Sequence, residues 1–122
     1  MNNGTYHILR VGMGITFLWI GILIFRSPET WGGMLAPWAY NLLPVPIEQA
    51  MMSTAILDVI VGLLLIVDVA TWAAAFVGSI HLVIVLATVG IDDITVRDIG
   101  LLTGCIAIMW NALPEKFRAK FV

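Results

Sequence analysis

Residues 53–68, STAILDVIVGLLLIVD, are apolar almost throughout, and Asp58 interrupts the run near its middle. Crossing roughly 30 Å of hydrocarbon as a helix takes about 20 apolar residues at 1.5 Å of rise per residue. By that measure the pattern predicts four spans, over about 7–25, 47–67, 72–90 and 98–113, the last being the shortest. The first is read as a retained span and not a signal peptide. It lacks an Ala-x-Ala-like cleavage site, and RSPETW follows it.

The connections differ in kind. Residues 26–46, RSPETWGGMLAPWAYNLLPVP, hold four of the five prolines and two of the five tryptophans. Proline removes a backbone donor and interrupts helices, so this segment is expected at the membrane surface. Trp31, Trp38 and Tyr40 suit the headgroup level, with Met34, Leu35, Leu42 and Leu43 dipping towards the acyl chains. A surface-anchored loop is the plain reading, and a lid over a cavity the sharper one. DVAT is so short that the second and third spans must be antiparallel neighbours. The third connection, IDDITVRD, is polar, and Asp98 at its end is expected to cap the fourth helix or to meet its positive dipole end.

Composition supports the membrane reading. The 122 residues are 61% hydrophobic and 11% charged, too few charges to cover a soluble surface. The expected fold is an all-α integral membrane four-helix bundle, residues 1–122 forming one domain. A net charge of −2 without a basic cluster beyond EKFRAK gives no ground for a nucleic-acid partner. Arg10, Lys116, Arg118 and Lys120 fall on one side and Arg26 and Arg97 on the other, which places both termini in the cytoplasm. Cys105 is the one cysteine, so dithiol chemistry within the chain is excluded.

Each span also carries small residues at helical spacing, a feature that lets membrane helices approach closely. They are Gly14 and Gly21 in the first, Ala55 and Gly62 in the second, Ala74 and Gly78 in the third, and Gly100, Gly104 and Ala107 in the fourth. Asp58 shares its face with Ala55 and Gly62, and His81 shares its face with Ala74 and Gly78. The tight hairpin brings Asp58 and His81 to similar depth, so both are expected to face other helices. A charged aspartate at that depth costs about 2.5–3.5 kcal/mol on insertion scales, so a partner or a proton is required. The pair then serves either as an interhelical bond that fixes register, or as a site that holds and relays a proton.

Arg10 lies one turn inside the first span. It either snorkels to the interface or pairs with a neighbour such as Asp68. Arg26, Glu48, Arg97 and Asp98 end their helices on the opposite side, as a ring of ion pairs or as separate solvated groups. His7 at a helix end and His81 at mid-depth make a poor ligand pair for haem. One histidine with one aspartate is likewise a thin metal site.

The chain resembles the DoxX-like membrane proteins from about Leu9 to Leu113. The likeness is carried by LRVGMGITFLWIG, with Arg10, Gly14, Phe17 and Gly21; by ILDVIVGLLLI, with Asp58 at the family's acidic position and Gly62 at its glycine; and by VRDIGLLTGCIAI, with Arg97 and Asp98. It departs at ILIFR, where many relatives carry a lysine, and in having Asp for the more usual Glu at position 58. The family is similar to the small membrane subunit of thiosulfate:quinone oxidoreductase. The resemblance therefore implies a bacterial or archaeal plasma membrane, other membrane subunits or self-association as partners, and quinone as the carrier. In that reading Asp58 and His81 are the catalytic candidates, while Arg10, Gly62, Arg97, Asp98, Gly100 and Gly104 serve as polar or packing positions. A non-catalytic scaffold subunit and a small proton or solute pathway are the competing expectations.

Overall fold

A computed structural model describes residues 2–119, with the backbone alone at Arg118. Lys120, one of the tail cations counted above, lies outside the described residues. All regular structure among the described residues is helical. Four helices are long: α1 (Asn3–Arg26), α4 (Ile47–Val67), α5 (Thr71–Val89) and α6 (Val96–Ala112). Three are short: α2 (Pro28–Gly32), α3 (Pro37–Asn41) and α7 (Glu115–Arg118). Helices α1, α4 and α5 are long and apolar enough to cross a membrane, whereas α6 has 17 residues and is shorter.

The three long apolar helices are built with their large residues outward. Only 33%, 28% and 28% of their most apolar windows are buried, leaving the remainder for lipid to cover. Ile15, Trp19 and Ile22 of α1, Ile56, Ile60 and Leu63 of α4, and Phe76, Ile80 and Val83 of α5 all face outward. The inward faces combine glycine and alanine at the points of closest approach with a few large side chains such as Met13, Phe17 and Leu65. This division suits a bilayer, where lipid tails are as apolar as leucine and helices associate by close packing.

Helix α1 packs most extensively on α4, and α5 on α6, while α4–α5 and α1–α6 contacts close the set. Residues on all four meet in one layer. A Cβ added to Gly78 of α5 would lie 3.1 Å from Phe17 Cζ of α1, 3.4 Å from Val61 Cγ1 of α4 and 3.6 Å from Cys105 Sγ of α6. Towards the end that holds the termini, the next residues inward are Met13, Leu65, Ala74, Ala75 and Ile108, all buried.

The proline-rich connection departs from expectation. It forms α2 and α3, each with proline in its first turn. That position needs no N–H donor, and the fixed φ of proline already suits a helix, so Pro28 and Pro37 start helices here instead of ending them. Helix α2 rests on the first turns of α4, with Gly32 against Ile47 and Met51. The Ala36 N–H donates to Thr88 O at 2.8 Å, tying the segment to the end of α5.

Capping of α6 also differs. Asp98 does not cap its helix but lies in its first turn, where a carboxylate meets the positive dipole end. Asp92 Oδ1 accepts from the backbone N–H groups of Ile94 and Thr95, both at 2.8 Å, and Thr95 Oγ1 accepts from Asp92 N–H at 2.9 Å. This reciprocal pair is a capping box set one turn early. Hydrogen bonds from the Thr95 and Ile94 amides hold the Asp92 carboxyl below its ordinary value. A carboxylate with a depressed folded pKa stabilises the fold above the usual carboxylate range and loses that contribution as pH falls through it. The melting-temperature difference between wild type and Asp92→Ala is therefore expected to be larger at pH 7 than at pH 3. An equal difference at both would show that the charge contributes nothing.

Candidate functional site

The α4–α5 hairpin sets the register of the central pair. Asp68 ends α4 in the left-handed conformation, with φ 60° and ψ 44°, and Ala70 follows at φ 49° and ψ 40°. Two residues of this hand, one on each side of Val69, reverse the chain within three residues. Thr71 Oγ1 then donates to Asp68 Oδ1 at 2.6 Å and secures the turn. Counting back from this reversal along antiparallel helices brings Val61 beside Gly78, and one turn further on brings Asp58 beside His81.

His81 Nε2 stands 3.3 Å from Asp58 Oδ1, with the side chains 13% and 3% exposed. At this distance the proton between them can sit on either Nε2 or the carboxylate oxygen. Asp58 lies eleven residues into α4, roughly 16 Å along its axis from Ile47. At that depth a lone carboxylate would be expensive, and the imidazole is the partner the sequence requires. The pair can exist with one shared proton as a neutral couple or as an ion pair, and exchange between these forms moves a proton by the length of one hydrogen bond.

Asp98, in the first turn of α6, lies beyond the pair towards the end of the bundle opposite the termini. It belongs to the inward stripe of α6 that continues through Leu101, Leu102, Cys105, Ile108 and Met109. Asp98 is partly buried and within electrostatic range of both His81 and Asp58. Arg97, its neighbour, is exposed. Among the described residues the ring of ion pairs considered for Arg26, Glu48, Arg97 and Asp98 is not formed. Glu48 instead lies near Glu29, because α2 carries Glu29 over the first turn of α4. Both line a cavity of about 410 Å³ with Arg26 and Thr30.

Arg10 forms a second polar cluster at the opposite end. It does not extend along lipid to the interface: its side chain is 9% exposed and turned inward. Nη1 donates to Leu65 O at 2.5 Å and to Ile66 O at 2.8 Å. Nε donates to His7 Nδ1 at 3.2 Å and lies 3.8 Å from Asp68 Oδ1. Tyr6 Oη reaches the same carboxylate oxygen at 3.5 Å. Because His7 Nδ1 accepts from Arg10, the ring carries its proton on Nε2. Tyr6, His7, Asp68, Thr71 and Trp72 line a cavity of about 420 Å³ beside the cluster. The sequence offered Asp68 as one partner for Arg10. The carbonyl partners and His7 were missed, although Arg10 and His7 are spaced one helical turn apart.

The small residues separate into two groups. Gly62 is in backbone contact with α1: a Cβ there would lie 2.6 Å from Leu18 N and 2.7 Å from Gly14 O. Gly104 packs more loosely, 3.1 Å from Met13 Sδ. Gly100 has nothing within 4 Å of an added Cβ, so its expected packing role inside the chain is not seen.

Comparison with protein-family models, curated proteins and solved structures found no match.

Proposed function

We propose that the chain is a transmembrane four-helix bundle with both termini cytoplasmic, acting in a bacterial or archaeal plasma membrane as a proton-handling component of a quinone-linked redox system. The observation that carries the proton-handling reading is the 3.3 Å contact between Asp58 and His81, two ionisable groups placed together inside otherwise apolar helices. Strongly placed titratable pairs of this kind are the usual means of holding a proton at a defined point. The quinone link is supported by the resemblance to DoxX-like proteins.

A bound quinone would supply two-electron redox chemistry coupled to proton uptake or release. Asp58 and His81 line neither of the two cavities described, and no step of quinone chemistry is assigned to them. Their own role is to store and exchange protons.

The test is to purify the protein from its native membrane in mild detergent, extract the preparation with solvent for quinone, and follow electron transfer in vesicles carrying wild type or Asp58→Asn. Quinone in the extract and a fall of at least about tenfold in rate for Asp58→Asn are expected, in line with the loss of a positioned proton carrier. An extract free of quinone together with an unchanged rate would sink the reading.

The scaffold reading is favoured by one observation, the bare surface at Gly100. A glycine on an outward helix face admits a second helix closely. Loss of partner association in Gly100→Leu, with Asp58→Asn silent, would support it over the redox reading.

A further inference from the structure

We infer that Asp98 is the aqueous end of a proton path reaching Asp58 through His81, open only from the side of the molecule opposite the chain termini. The inference rests on the proton-handling reading of the pair and deepens it by giving the path a direction.

Register supplies the first argument. Gly78 and Cys105 lie level with each other across α5 and α6. His81 is three residues from Gly78, and Asp98 is seven residues from Cys105, both towards the same end. At 1.5 Å per residue they are about 4.5 Å and 10.5 Å above that layer, so Asp98 is roughly one helical turn beyond His81. It stands on the inward stripe of its helix, within electrostatic range of both members of the pair. That separation suits transfer through a bridging water.

The second argument is the contrast between the two directions out of the pair. Towards the termini the bundle is sealed by Phe17, Val61 and Cys105, at 3%, 2% and 0% exposure, followed by Leu65 and Ile108 at 0% each. None of these side chains carries a proton through such a core. The next ionisable groups in that direction, Arg10 and Asp68, are bound to carbonyls and hydroxyls of their own. In the other direction Asp98 is partly exposed, at the foot of the largely exposed 90–95 connection with Asp92 close enough to interact. The charged groups within range of His81 are thus Asp58 from α4 and Asp98 from α6, with Asp92 in range of the latter.

The step requires no oxidant or reductant. A proton from water binds a carboxylate oxygen of Asp98. It passes through the intervening water to the imidazole, while the imidazole's Nε2 proton moves to Asp58. The return follows the reverse order.

The experiment uses full-length protein in lipid nanodiscs with ¹⁵N-labelled histidine. Since the chain has two histidines, His7→Gln assigns the His81 signals. Imidazole N–H exchange with deuterated water is then followed at His81. Asp98→Asn is expected to slow it at least tenfold, Asp98→Glu to restore it to within about threefold, and Asp68→Asn to leave it unchanged. Matching helical content and melting temperature show that the variants fold. If exchange in wild type is fast and Asp98→Asn leaves it so, the path is refuted while the pair remains a proton-handling site. If Asp68→Asn slows exchange as much as Asp98→Asn does, the one-sided opening is refuted. If His81 in wild type does not exchange over days, the pair is a static bond and both readings fall.

Discussion

Gly62→Leu is expected to prevent α1 and α4 from packing, at a cost of at least about 4 kcal/mol, a loss large enough to abolish a marginally stable fold. The reason is that there is no side chain to move aside. The atoms nearest a new Cβ are Leu18 N at 2.6 Å and Gly14 O at 2.7 Å, both backbone, so any substitution must push the helices apart. The damage would spread along the interface. Gly14 and Gly21 of α1 are themselves in backbone contact with α4, 2.9 Å from Gly62 O and 2.9 Å from Ala55 O when given a Cβ. Two pairs of small residues, each spaced by seven, thus hold the helices at one close distance, and widening it at Gly62 opens it at all four. Gly62→Ala is expected to cost about 1–3 kcal/mol by the same overpacking. Gly100→Leu, made where nothing lies within 4 Å, should change stability by no more than about 0.5 kcal/mol. Thermal unfolding in mild detergent measures all three. A Gly62→Leu protein that melts with wild type would mean that α1 and α4 do not meet at this point.

The same contrast between Gly62 and Gly100 shows where the sequence was informative. Spacing identifies a face of small residues without saying whether a neighbour covers it. Gly104 meets Leu9 and Met13, but that approach does not extend one turn further to Gly100. The long helices were legible because a run of apolar residues has a length, and length has a direct meaning in a bilayer. The approach of Asp58 to His81 was legible for a related reason: a four-residue connection leaves little freedom in register. The short helices α2 and α3 were hidden because proline was read as a breaker, although at the first helical position it is a starter. Asp92 was overlooked for Asp98. The spacing Asp92-x-x-Thr95 carried the capping signal, and the apolar run beginning near Ile99 drew attention one turn too far along. Asp98 keeps the other role expected of it, a carboxylate in the first turn at the positive end of α6, and stands on that helix's inward stripe.

Arg10→Leu is expected to destabilise the chain by about 3–5 kcal/mol, the usual cost of removing one partner from a buried charged network. The size of the effect lies less in the ion pair than in the end of α4. A helix leaves its last carbonyls without intrahelical donors and carries partial negative charge there. Helix α4 has no basic residue in its own last turn, and Arg10 reaches across from α1 to donate to Leu65 O and Ile66 O. Leucine at position 10 fills the space and leaves both carbonyls and His7 without that donor. Asp68, by contrast, is 41% exposed and 3.8 Å from Arg10 Nε, so the direct attraction between them should be worth about 1 kcal/mol or less. Asp68→Asn alone is therefore expected to cost much less than Arg10→Leu. Arg10→Lys should recover only part of the loss, because an ammonium on a flexible stem cannot present donors to the two carbonyls and to His7 in the fixed fork of a guanidinium. A double-mutant cycle between positions 10 and 68, read by thermal unfolding, separates the contributions. A coupling close to the whole Arg10→Leu effect would move the weight from the helix end to the ion pair, and an Arg10→Leu protein as stable as wild type would remove Arg10 from the architecture of the fold.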